Sequence, residues 1–71
     1  MSEKPIEERI ELAVANGYRQ GDVAMLYARA IRQLDPRSPT WTRINDAITA
    51  RWPKGLDRVK KLAWKCLGET K

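Results

Sequence analysis

The chain has 71 residues, 42% hydrophobic and 32% charged, with 14 Lys plus Arg against 9 Asp plus Glu for a net charge of +5. That length supports one hydrophobic core and predicts a single helical domain spanning residues 1–71. The absence of histidine and the single cysteine, Cys66, exclude a Cys/His zinc site and any disulfide within the chain, because structural zinc takes about four N or S ligands.

The lone thiol fits a reducing compartment, although it would also permit an intermolecular bridge, and it reads as a buried side chain. Nucleophilic catalysis by Ser or Cys draws on a nearby imidazole base, and no Lys or carboxylate substitute shows a local signature here. The expectation is a non-enzyme with no metal and no cofactor. The longest unbroken apolar run, Val23 to Ala28, falls far short of the roughly 18–20 residues that cross a bilayer. Met1-Ser2-Glu3-Lys4-Pro5 also lacks the basic and then apolar profile of a secretory signal, so the expected setting is the cytoplasm, without membrane contact.

Glycines and prolines punctuate the chain at Gly17 with Gly21, Pro36 with Pro39, and Pro53 with Gly55, leaving four periodic segments. The first predicts a helix over about 3–16, with Ser2 as N-cap, Pro5 in the opening turn, Glu7 and Glu8 complementing the dipole and Gly17 as the stop. Ile6, Ile10, Ala13 and Val14 share its apolar face, Glu7, Glu8 and Glu11 the other, and Leu12 fits neither. The second helix is expected over 22–34, from an Asp22 N-cap to the residues before Asp35-Pro36. Its apolar positions cover more than half the circumference, which predicts a central helix exposing only Met25, Arg29, Arg32 and Gln33.

Ser38-Pro39 reads as an N-cap followed by proline at the first helical position of a third helix over 39–51. Trp41, Ile44, Ile48 and Trp52 form a coiled-coil-like seam, which predicts that both tryptophans are largely buried and that Trp41→Ala costs roughly 3 to 5 kcal/mol. After the Pro53-Lys54-Gly55 turn, a last helix over 55–67 places Leu56, Val59, Leu62, Ala63, Cys66 and Leu67 on its core face and ends at Gly68. No segment alternates with a two-residue period. The expected fold is therefore all-α, a compact bundle of four short helices whose last two form a helix-turn-helix-like hairpin. Three Trp and two Tyr are expected to supply the large apolar area in a chain without Phe.

Charge is divided unevenly: residues 1–35 carry five basic side chains against six acidic, whereas residues 36–71 carry nine against three. On the last helix Arg58, Lys61 and Lys65 recur at i, i+3 and i+7 opposite the apolar stripe, so their charges project to one side. Lys60 and Trp64 flank that face. Trp64 taken alone reads as a core residue at the bundle edge; beside the cations it reads as a ring that can stack on a base. Alternatively, Glu7, Glu8 and Glu11 of the first helix could pair with Lys and Arg of the last, using up much of the asymmetry within the fold.

Gly17-Tyr18-Arg19-Gln20-Gly21-Asp22-Val23-Ala24 resembles the opening of the helix-turn-helix of phage and bacterial repressors. That family then needs a turn four residues on, where Ala28-Arg29-Ala30 stand, and Pro36 would interrupt its recognition helix. Leu26-Tyr27-Ala28-Arg29 is similar to the Leu-Tyr-Arg motif of mitochondrial assembly factors, but departs from it because Ala28 separates Tyr from Arg. Neither resemblance carries a residue role to this chain.

Two functions fit these features. The first is a small basic nucleic-acid-binding accessory or regulatory protein, with DNA favoured over RNA, whose phosphate contacts come from Arg51, Lys54, Arg58, Lys61 and Lys65 with stacking by Trp64. The second is a protein-interaction module, such as an adaptor, inhibitor or subunit of a larger assembly. It would meet an acidic partner through the same basic face or through the Met25, Arg29 and Arg32 side of the second helix. The sequence leaves the oligomeric state open.

Overall fold

The computed structural model describes residues 4–69. Among them are four α-helices and no strand: α1 (Ile6–Ala15), α2 (Gln20–Gln33), α3 (Thr40–Arg51) and α4 (Leu56–Glu69). The four periodic segments thus become the four helices of an all-α bundle.

The helix ends show where local signals act. Pro5 is the N-cap of α1, in an extended conformation, and its carbonyl accepts from the N–H groups of Glu8 and Arg9 at 3.0 and 3.1 Å. The helix therefore begins at Ile6 rather than near residue 3, and the expected Ser2 cap lies outside the described residues. Gly17 stops α1 as expected. With φ at 79° it occupies the left-handed region, and the Gly17 N–H donates to Val14 O at 3.2 Å while the Tyr18 N–H donates to Ala13 O at 3.0 Å. Those two bonds are the Schellman motif, which satisfies carbonyls left open by the last turn.

The chain is redirected at that motif, and α2 opens at Gln20 instead of at an Asp22 cap. Arg19 is the N-cap, and its carbonyl accepts from Val23 N–H at 3.0 Å. Asp22 lies inside the first turn, where a carboxylate still complements the dipole. From there α2 runs unbroken to Gln33 through the positions where a repressor-type motif needs its turn. Ser38 does cap α3: its Oγ accepts from Thr40 N–H at 3.2 Å, and Pro39 already has helical angles. Gly68 does not end α4, which continues to Glu69. Glycine in a terminal turn costs at most about 1 kcal/mol, too little to break a helix with a packed face.

Packing departs from sequence adjacency. α2 packs most extensively on α4, α1 packs on both α3 and α2, and α3 and α4 share little contact despite the short turn joining them. The last two helices are linked as the hairpin expectation has it, yet each is held mainly by a different partner. The radius of gyration, 11.4 Å, is close to the roughly 11 Å of a folded chain this long, so the four short helices close completely on one core.

That core consists of small and β-branched side chains: Ile10, Ile44, Ile48, Val23 and Val59 are fully buried, with alanines of α1, α2 and α4 between them. Among the aromatics only Tyr27 is buried. Trp41 and Trp52 are mostly buried and pack against this core, as the seam predicts, though neither is fully enclosed, and Cys66 is half-buried rather than enclosed. The reason is position: both tryptophans sit at the rim, Trp41 in the first turn of α3 and Trp52 as its C-cap, while Ile44 and Ile48 take the centre. Leu12, off the apolar stripe of α1, is exposed and lines a shallow groove with Tyr18 and Leu26.

Gly55 is required by space. It is buried beneath Trp52, and a Cβ placed there would lie 2.5 Å from Trp52 Cβ and 3.1 Å from Gln20 Nε2. Its N–H donates to Trp52 O at 2.8 Å, so the turn closes with the glycine backbone against the tryptophan stem.

Candidate nucleic-acid interface

Seven residues of helix rise about 10 Å, and over that length of α4 the side chains of Arg58, Lys61 and Lys65 follow one another on a single surface. All three are exposed, while Val59 and Ala63 on the opposite side are fully buried. The two faces follow directly from the sequence spacing. Arg51 closes α3 and Lys54 lies in the connecting turn that leads into α4, and both are exposed.

Internal neutralisation was the competing expectation for these charges, and the packing overturns its predicted form. Among the described residues α1 makes no backbone approach to α4, because it packs on α3 and α2. Its acidic edge instead meets Arg43 of α3, whose Nε and Nη2 donate to the two carboxylate oxygens of Glu11 at 2.8 and 2.6 Å. The Arg43 hydrogen bonds hold the Glu11 carboxyl below its ordinary value, while Glu11, with Glu7 and Glu8 farther off, raises that of Arg43. The two groups form a bidentate ion pair. None of the cations of α4 takes part in one, so the field of that helix is left for solvent or for a partner.

Trp64 is 60% exposed, which removes it from the core and corrects its reading as an edge-of-core residue. Its helix position explains why: α2 covers the Val59–Ala63 side of α4, and Trp64 lies well around the circumference from it. It stands on the wall of a groove of about 350 Å³ between α2, α3 and α4. Tyr27 and Trp41 line the same groove with ring centroids 5.0 Å apart at 47°, and Lys60, half-buried, runs its stem along it.

Polar bonds fix the groove's interior. The Tyr27 hydroxyl donates to Asn45 Oδ1 at 3.3 Å, and burial pushes the phenol above its ordinary value of 10.0, keeping it a neutral donor. The Trp41 indole N–H donates to Asp35 O at 2.9 Å, tying the loop that carries Pro36 to the start of α3. Sequence reasoning placed Lys60 and Trp64 beside the basic face but did not bring Tyr27, Trp41 and Asn45 to them. The only local signal was the i, i+4 spacing of Lys60 and Trp64; the rest is tertiary. No helix among the described residues is long and apolar enough to cross a membrane.

No family model, curated protein or solved structure matches this chain.

Proposed function

We propose that this protein is a small non-enzymatic nucleic-acid-binding protein, acting as an accessory or regulatory factor, that grips phosphates through the outer face of α4. The observation that carries the reading is the exposed row Arg58, Lys61 and Lys65, unpaired with any carboxylate among the described residues and flanked by the exposed ring of Trp64. Cations arranged this way neutralise phosphates and release counterions, which supplies affinity without reading sequence. Arg51 and Lys54 extend the contact. Five such contacts on duplex DNA would give a slope of about −4.5 in log affinity against log salt.

The test is a titration with duplex DNA and single-stranded RNA at several salt concentrations. A linear fall is expected, and the double variant Lys61→Glu with Lys65→Glu should abolish binding while melting as the wild type does. Binding that persists in that variant would move the site elsewhere; its absence from the wild type at low salt would remove the reading.

A second reading, a protein-interaction module for an acidic partner, is favoured by one further observation. Met25 of α2 is 56% exposed next to exposed Arg29, an apolar side chain beside a cation on a helix that is otherwise central. Replacing Met25 and Arg29 together separates the two readings: it should leave nucleic-acid affinity intact and disturb only a protein contact.

A further inference from the structure

The groove beside α4 combines features that a row of phosphate-binding cations does not need. Its floor is aromatic, from buried Tyr27 and half-buried Trp41, and its wall is the exposed ring of Trp64. No carboxylate is among its described lining residues, and Lys60 contributes a positive charge. Asn45 adds a carboxamide whose oxygen is committed to Tyr27, leaving the NH₂ as a donor at the groove wall.

Charge complementarity requires an anionic occupant, and the aromatic lining favours a flat ring over an aliphatic side chain. Position adds to this. Lys60 and Lys61 precede Trp64 by four and three residues, the two spacings that place side chains next to it on the helix surface. One of these lysines lines the groove and the other belongs to the phosphate-binding face. Trp64 is thus the boundary between them, where a strand with its backbone on α4 would have a base within reach of the groove. Paired bases stacked inside a duplex cannot enter such a concavity, whereas a free base can.

Resting on the phosphate-binding reading of α4, we infer that the groove between α2, α3 and α4 takes one unpaired base, stacked on Trp64 with its phosphate beside Lys60. Single-stranded nucleic acid, rather than duplex, is then the preferred partner. This sharpens the earlier expectation of DNA over RNA into a distinction of strandedness.

The experiment compares a labelled single-stranded oligonucleotide, its duplex and a polyglutamate of equal charge, by fluorescence anisotropy of the label, against wild type, Trp64→Ala, Trp64→Leu and Trp64→Phe. Loss of the ring should weaken single-strand binding about 5- to 150-fold while leaving duplex affinity and the salt slope unchanged. Trp64→Phe should restore most of the loss. Trp64→Leu keeps an apolar side chain, so a defect shared by Ala and Leu with wild-type melting reports stacking and not folding.

Unchanged single-strand affinity in Trp64→Ala, when the Lys61→Glu, Lys65→Glu variant has lost it, overturns the stacking site and leaves the phosphate reading standing. Polyglutamate that binds as tightly as the single strand makes the occupant an acidic peptide and overturns both. Failure of the wild type to bind either nucleic acid at low salt removes the phosphate reading first and the stacking site with it.

Discussion

The α1–α3 side of the molecule and the outer face of α4 are both rich in charge, and they use it differently. On the first, Glu11 holds Arg43 through two parallel bonds, and Glu7 and Glu8 add to the field at the same guanidinium. On the second, Arg58, Lys61 and Lys65 meet no carboxylate among the described residues. Net charge along the sequence does not reveal this, because the acids of α1 neutralise whichever helix presents a cation to their edge. That helix is α3, and the consequence is a field concentrated on α4.

Both sides hang from one core, and Ile44 is where removing a side chain should affect them most. Fully buried on α3, it should cost about 2–5 kcal/mol as Ile44→Ala, much of what a chain this small has, read by urea denaturation. A loss under 1 kcal/mol would mean that α3 is peripheral. Trp41→Ala should cost less than full burial would imply, about 2–3 kcal/mol, since the indole keeps some exposure although it packs at a tilt against Tyr27 and is bonded to Asp35 O. The same denaturation curves check it, and a cost of about 5 kcal/mol would mean that the indole is fully enclosed.

Gly55→Ala addresses the joint between the two regions. The added methyl meets the Trp52 stem, so about 1–3 kcal/mol of destabilisation is expected, whereas Gly68→Ala, with open space around it, should be neutral or slightly stabilising. Equal midpoints for the two variants would contradict the close approach. The smallest effect concerns the pair itself. A carboxyl held below its ordinary value of 4.5 contributes stability above that value and loses it as pH falls through the folded value. Glu11→Gln should therefore flatten the acid limb of melting temperature against pH and change little near neutrality, the pair being exposed.

The parts legible in the sequence were those encoded within a single helix. Apolar spacing located all four helices and the faces of α4, and Ser38 and Gly17 marked real ends because their bonds are local. What failed depended on neighbours. Asp22 reads as a cap until the Schellman turn has opened α2 two residues sooner, and Trp64 taken alone reads as edge of the core until α2 covers the other side of α4. The cationic row was visible as spacing. The groove was not, since Tyr27, Asn45 and Trp64 lie on three helices and nothing local relates them. Likewise, Arg43 gave no sign in the sequence that it would take the acids assigned to α4.

The pairing of α2 with α4 also bears on the order in which the chain assembles. α1 and α2 are joined by a tight elbow at Gly17, so their contact can form early at little entropic cost. The most extensive contact, by contrast, joins helices separated by the whole of α3, and it forms only once the chain from Leu34 to Gly55 has looped back on itself. Until then α4 is an amphipathic segment with its apolar face uncovered. The geometry of the cationic face therefore depends on a contact distant in sequence: the row is held in place by the docking of α4 on α2 and not by the turn that joins α4 to α3.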